Sequence, residues 1–350
     1  WITYDTTKAN SQPIFRKQFS LNKRIKSAVI NISGLGYYEL YLNGKKVGDH
    51  VLDPGQTNYD DYALYVTYDV SNNLKIGGNV VGVMLGDGWY NQDKVFGPNG
   101  LSYGKPLLIC QIKVEYEDGS NQLILSDQSW MWTNGPVITS NVYAGEVYDA
   151  RKEIKDWSKD IHSKKDWLPV SLAFTHPPNL IAQSLPPIKQ MKELPVKRIY
   201  KIGEGSYVFD FGQNFAGWTR LQVNETAGTK LTIMSSEEIF PDGKLNIAST
   251  GAFFTRAPQT EQYICKGSGA EIWEPRFTYH GFRYAEISGL RSPPDSNTLT
   301  GIVVYSSVDN DGKFSCSNES FNKLHQLAQW TLNSNLYSIP TDCPAREKCG

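Results

Sequence analysis

From the amino terminus to about Phe314, apolar and polar positions alternate in short runs, the two-residue period of a half-buried strand. Such runs cover Ser27–Ile32, Tyr38–Leu42, Tyr65–Tyr68, Val80–Met84, Leu107–Tyr116 and Gln122–Leu125. The same pattern returns at Tyr207–Phe211, Thr219–Val223, Lys230–Met234, Thr260–Cys265, Ala270–Phe277, Tyr284–Ile287 and Leu299–Val304. Asn43-Gly44, Asp118-Gly119 and Asp242-Gly243 punctuate the runs, and such pairs supply the positive φ angles of tight hairpins. Short strands with turn signals between them predict a mainly β chain of two antiparallel β-sandwich, jelly-roll-like domains. Pro169, Pro177, Pro178, Pro186, Pro187 and Pro195 interrupt any ladder between the two blocks. The expected division is a sandwich over 1–170, a proline-rich crossing over 171–195, a second sandwich over 196–306 and a helical start over 307–350.

After Phe314 the period changes. Phe321, Leu324, Ala328, Leu332 and Leu336 fall on one face of a helix, with Trp330 nearby. Ser317 is the expected N-cap, Glu319 suits the first turn, and Pro340 is the expected stop, giving a helix of about 20 residues. One helix is not a domain. Its apolar stripe must pack either on the preceding sandwich or on a helical domain that continues beyond the chain.

Composition narrows the function classes. With 35 basic and 36 acidic side chains the formal charge is -1, so no nucleic-acid partner and no anionic membrane is indicated. No stretch reaches the roughly 18 consecutive apolar residues of a membrane span. The chain opens at Trp1 without a methionine and stops at Gly350 inside a motif, so a piece of a longer protein is expected. Cys110, Cys265, Cys316, Cys343 and Cys349 are odd in number and scattered, which argues against a disulfide framework. His50, His162, His176, His280 and His325 show no H-x-x-x-H pair for zinc, and neither a G-x-S-x-G elbow nor a phosphate loop occurs. The 9 Trp and 20 Tyr fit either the apolar faces of sugar rings or the β-formers of a large sheet protein.

Chemistry concentrates at the carboxyl end. Thr341-Asp342-Cys343-Pro344-Ala345-Arg346-Glu347-Lys348-Cys349-Gly350 places two carboxyl groups and a guanidinium in one turn after the helix. Asp342 as acceptor and Arg346 as donor can fix the hydroxyl groups of a pyranose, while Glu347 can deliver a proton. A solvated ion-pair cluster is the competing reading. The arrangement Asp342-Cys343-Pro344-x-Arg346-Glu347-x-x-Gly350 resembles the signature at the entrance of the catalytic domain in family 78 bacterial α-L-rhamnosidases. Phe209-Asp210-Phe211-Gly212-Gln213-Asn214-Phe215-Ala216-Gly217-Trp218 and the run Trp273 to Tyr284 resemble that family's accessory sandwich. The runs Tyr41 to Gly48, Gly86-Asp87-Gly88-Trp89-Tyr90 and Gly145 to Arg151 resemble its N-terminal domain. The matches keep the family's order along nearly the whole chain.

The resemblance implies an inverting glycosidase that releases terminal α-L-rhamnose from glycans or glycosides, with its chemistry in an (α/α)6 barrel whose first helix closes this chain. Inversion needs a carboxylic acid at the leaving oxygen and a second carboxylate, about 6.5–9.5 Å away, that activates water. By position Glu347 matches the general acid, and Asp342 and Arg346 match rhamnose-binding residues. The family's general base lies far downstream, beyond Gly350, so the chain alone is expected to hydrolyse nothing. Catalysis implies no cofactor. The N-terminal sandwich suggests a second site for sugar or calcium: Asp60, Asp61, Asn91 and Asp93 as oxygen ligands, and Trp89 and Tyr90 as a stacking platform. The alternative function is a non-catalytic carbohydrate-binding accessory protein. Glycan foraging favours the periplasm or the cell exterior over the cytoplasm, although free cysteines suit the latter.

Overall fold

A computed structural model describes residues 1–93, 95, 101–159, 166–173, 179–251, 258–309 and 312–348. His162, His176, Pro177, Pro178, Cys349 and Gly350 lie outside the described residues. The chain is mainly β and divides into two compact units, one of residues 1–94, 99–141 and 152–184, the other of 95–98, 142–151 and 185–350.

In the first unit the alternating runs become two sheets. Along Leu107–Tyr116 the residues Leu108, Cys110, Ile112, Val114 and Tyr116 are buried, while Lys113 between them is exposed. This strand pairs antiparallel with Ile25–Leu35 and Asn121–Leu125, and Ile25–Leu35 pairs in turn with Tyr62–Asp69. The second sheet places Met131–Asn134, Pro13–Leu21, Gly77–Gly86 and Tyr37–Leu42 side by side. Ile30, Ile32, Leu108 and Ile112 from one sheet join Phe15, Val81, Val83 and Trp132 from the other in a single hydrophobic core. Burying a side chain of that size stabilises by roughly 1.5–3 kcal/mol, so the core fixes which face of each strand turns inward. Asn43 at φ 51° and Gly44 at φ 85° close the hairpin in which Leu42 faces Lys45, as their sequence predicts.

The segment 171–195 does more than cross. Asn179–Ala182 pairs with Tyr62–Asp69, and Ile188–Leu194 pairs with Leu299–Ser306. Pro187 and Pro195 bracket Ile188–Leu194 without entering it, and the strand sits at a sheet edge, where proline is tolerated. The architecture is also not purely antiparallel. Asn179–Ala182 runs parallel to Tyr62–Asp69, and Gly145–Asp149 runs parallel to Thr260–Ile264.

The second unit centres on one sheet with the order Gly145–Asp149, Thr260–Ile264, Lys230–Ser236, His280–Ser288, Ser206–Val223, Leu299–Ser306 and Ile188–Leu194. Tyr207–Phe211 and Thr219–Val223, expected as separate strands, are one strand of 18 residues. Its register against His280–Ser288 shifts between Asp210 and Phe215, so the stretch that interrupts the sequence pattern is a bulge within the strand. Gly212 takes φ 74° there, and the Asp210 carboxylate accepts two hydrogen bonds from the Arg283 guanidinium at 2.8 and 2.9 Å. Phe209, Phe211 and Trp218 are buried. The run Ala270–Phe277 shortens to Glu271–Trp273, because Pro275 cannot continue the ladder.

The helix spans Glu319–Ser334, shorter than the periodicity suggests. Asn318 rather than Ser317 caps it, its side chain accepting from the Ser320 N–H at 3.0 Å. The helix ends at Asn335, ahead of Pro340, and the chain reverses through Leu336–Tyr337 and Ile339–Pro340 about Ser338 at φ 64°. None of its residues is buried. Phe321, Leu324 and Leu332 are 57%, 60% and 61% exposed, so the stripe does not pack on the preceding sheet.

Gly217 generates a stability prediction. A Cβ on it would lie 1.9 Å from the Ile302 carbonyl oxygen, on backbone at φ 149°. Gly217→Ala should destabilise the chain by about 3 kcal/mol, the upper range of overpacking, in denaturant unfolding followed by circular dichroism. A change below about 0.5 kcal/mol, the range of neutral surface substitutions, would contradict the packing described.

Candidate active site

The loop that follows the helix is fastened to the second unit before it reaches its polar residues. The Tyr337 ring stacks on Tyr279 at 3.8 Å, and its hydroxyl donates to the Val304 carbonyl at 2.6 Å. The Ser338 N–H donates to Ser306 Oγ at 2.7 Å. Farther on, the chain rests on the backbone of Gly281, where a Cβ would stand 2.7 Å from Pro344 Cγ. The Arg346 stem lies over Gly251, where a Cβ would stand 2.3 Å from Arg346 Cγ. Two glycines therefore make room for the turn.

On this footing Asp342, Arg346 and Glu347 come together, as their sequence spacing suggests. The Cys343 N–H donates to Asp342 Oδ1 at 2.7 Å, and the Cys343 thiol donates to Glu347 Oε2 at 3.2 Å. Arg346 Nε stands 3.6 Å from Glu347 Oε2. Donor atoms of Asp342, Cys343 and Glu347 lie within 4.8 Å of one another, the one such grouping of His, Cys, Asp and Glu found among the described residues. The Cys343 thiol, then the Arg346 guanidinium, hold the Glu347 carboxyl below its ordinary range, while burial opposes them. Glu347 in this setting is an ionised acceptor rather than a proton donor.

Sequence reading missed two neighbours of the turn. Glu237 has its carboxyl pushed up by burial, accepts from Asn214 Nδ2 at 2.9 Å and feels the Arg346 charge. Lys348 is fully buried, and its Nζ donates to the carbonyls of Val142 at 2.6 Å and Tyr279 at 2.5 Å. Burial pulls its ammonium down to about 7, with Glu261 acting in the opposite direction. Lys348 sits inside the motif, so its position was a signal. Glu237, in a Ser-Ser-Glu-Glu run, reads only as a solvated turn. Buried His280 pairs with Glu261, and Arg283 pairs with Asp210, so both serve the sheet.

The N-terminal candidates are arranged differently from their expected roles. Asn58 to Asp61 form a turn in which Asp61 accepts from Asn58 Nδ2 at 2.6 Å. Asn91 is buried, donating to Asp87 Oδ1 at 2.7 Å and accepting from Ser102 Oγ at 2.6 Å. Asp93 lies 3.8 Å from Lys105 Nζ. Among the described residues the carboxylates of Asp60, Asp61 and Asp93 do not form a group of three within 4.8 Å of one another. Trp89 and Tyr90 are buried rather than presented as an open platform. Tyr90 stacks on Tyr103 at 5.7 Å with Tyr59 edge-on at 5.2 Å, and Tyr103, which sequence reading passed over, is the exposed member.

Comparison with known proteins places these features in context. Residues 23–192 match the alpha-L-rhamnosidase N-terminal domain, 200–305 the bacterial alpha-L-rhamnosidase concanavalin-like domain, and 309–350 the bacterial alpha-L-rhamnosidase 6 hairpin glycosidase domain. An alpha-L-rhamnosidase of Formosa agariphila is 40% identical over 96% of this chain and 36% of its own length. The structure of an alpha-L-rhamnosidase from Dictyoglumus thermophilum superposes with a TM-score of 0.90 at 45% identity, covering 96% of this chain and 37% of that one. A Streptomyces avermitilis alpha-L-rhamnosidase complexed with L-rhamnose gives a TM-score of 0.91 at 36% identity, covering 96% and 32%. The chain thus spans about a third of the length of these relatives.

Asp87, inside the N-terminal motif, yields a pH prediction. Desolvation pushes its carboxyl up to about 6, against hydrogen bonds from Asn91 and Gln12. A raised native pKa means that its contribution to stability is full below about 4 and is lost as pH rises through about 6. Carboxyl carbon NMR should place the Asp87 midpoint near 6, and Asp87→Asn should flatten the fall in stability over that window. A midpoint near 4 would remove the effect.

Proposed function

The chain belongs to the bacterial α-L-rhamnosidase family, and from that premise we propose that the whole protein releases terminal α-L-rhamnose from glycans or glycosides by inverting hydrolysis. In this reading Glu347 is the general acid, and Asp342 and Arg346 hold rhamnose hydroxyls. The observation that carries it is the convergence of these three side chains on a turn fastened over Gly251 and Gly281. Asp342 is a poor candidate for the base. Its oxygen lies within 4.8 Å of the Glu347 oxygen, short of the roughly 6.5–9.5 Å that leaves room for a water. In this reading the base is another carboxylate, which the family resemblance puts downstream of Gly350.

In the 350-residue chain protonation runs against the acid role, so this reading requires a change in the surroundings of Glu347. An acid must hold its proton near neutrality, which requires burial or a neighbouring carboxylate. Glu347 here is partly open and kept ionised. The two sheet units act as ancillary β-sandwich domains, and Glu319–Ser334 is the first helix of an (α/α)6 barrel. The open stripe of Phe321, Leu324 and Leu332 supports that role, because further helices would cover it and seal the turn.

Hydrolysis of an aryl α-L-rhamnoside by the full-length protein, with the first-formed anomer followed by NMR, should show inversion. Glu347→Gln should cost 10²–10⁴-fold, the usual contribution of a general acid, and residues 1–350 alone should show no turnover. A retained anomeric configuration, full activity in the variant or turnover by the 350-residue chain would each refute part of the reading.

A further inference from the structure

The most unusual group in the second unit is the buried ammonium next to Glu347. Lys348 is 0% exposed. Removing an ammonium from water is costly unless hydrogen bonds and favourable electrostatics replace hydration, so such groups persist where they hold something in place. Here Nζ donates to the carbonyls of Val142 and Tyr279 at 2.6 and 2.5 Å. It also lies 4.5 Å from the Tyr279 ring centroid and 5.5 Å from that of Tyr143, within cation–π reach. Glu261, His280 close beside it and the Cys343 side chain are the ionisable groups that act on Lys348 and its surroundings.

The same few residues grip the backbone of Glu347 itself. The Tyr143 hydroxyl donates to the Glu347 carbonyl at 2.5 Å. The residue at position 347 is therefore pinned at its own carbonyl by Tyr143 and through the next side chain by Val142 and Tyr279. No element of the helix takes part. We propose that Lys348 and Tyr143 form a positioning clamp that aims the Glu347 carboxyl at the leaving oxygen. The clamp rests on the reading of Glu347 as the general acid. A proton delivered from a carboxyl displaced by 1 Å loses on the order of 10²-fold in rate, so a rigid backbone anchor at this residue bears directly on turnover.

The test uses the full-length protein and two aryl α-L-rhamnosides, one with a strongly activated and one with a poor leaving group. An acid matters most when the leaving group needs its proton. Glu347→Gln should therefore slow the poor substrate far more than the activated one. Lys348→Met and Tyr143→Phe should show the same asymmetry at a smaller scale. We expect a 10–100-fold fall in kcat for the poor leaving group, less than 3-fold for the activated one, and KM within about 2-fold. Tyr143→Phe removes one hydroxyl and leaves the buried charge in place, so it reports even where Lys348→Met does not fold. Equal losses on both substrates, or none in Tyr143→Phe, would overturn the clamp while the asymmetry of Glu347→Gln stands. Loss of that asymmetry in Glu347→Gln itself would instead refute the acid assignment.

Discussion

A strand in the middle of a sheet must satisfy its backbone on both edges, and Ser206–Val223 carries that constraint for the second unit. It pairs with Arg198–Gly203, Glu271–Trp273, His280–Ser288 and Leu299–Ser306 along its 18 residues. Two of those partners carry the anchors of the terminal turn. His280–Ser288 contributes Gly281, on which Pro344 rests, and Leu299–Ser306 contributes Val304 and Ser306, which hold Tyr337 and Ser338. Losing the pairing along Ser206–Val223 would leave these anchors without a common frame. The Asp210–Arg283 pair and the bulge at Gly212 belong to the same frame, since they adjust the register of the strand that carries Gly281.

The turn built on this frame has its geometry but not its acid chemistry. Its backbone is pinned by hydrogen bonds and by glycine contacts that any added methyl would break. The Glu347 carboxyl, by contrast, lies where the Cys343 thiol and the Arg346 charge favour the ionised form. Arrangement and protonation thus have separate sources. The β unit supplies the first, and covering apolar mass would supply the second, because desolvation raises a carboxyl pKa.

Much of the β architecture was legible because strand burial has a two-residue period and the core enforces it. Leu107–Tyr116, Tyr37–Leu42 and the Asn43-Gly44 hairpin follow their pattern closely. The failures have physical causes. A bulge looks like a loop in sequence, which split Ser206–Val223 in two. Proline beside an edge strand looks like a linker, which hid Ile188–Leu194. At the helix, Asn318 outcompeted Ser317 as cap, and the hairpin about Ser338 stopped the helix before Pro340 could. The terminal run drew attention to Asp342, Arg346 and Glu347, and the family resemblance rather than their spacing gave them their expected roles. Lys348 stood inside the terminal motif, but its burial, like the approach of the distant Glu237, leaves no periodic trace and required three dimensions. In the N-terminal unit an aromatic pair suggested a sugar platform, yet Trp89 and Tyr90 turn inward and Tyr103 takes the surface.

The central claim is that Glu347 is an acid whose proton is secured by the protein beyond this chain. Its carboxyl pKa, followed by carboxyl carbon NMR in the 350-residue chain and in the full-length protein, tests that claim most directly. The account predicts a value below the ordinary glutamate range in the short chain and one raised to roughly 6–7 in the complete protein, as a general acid working near neutral pH requires. The same depressed value in both would contradict it.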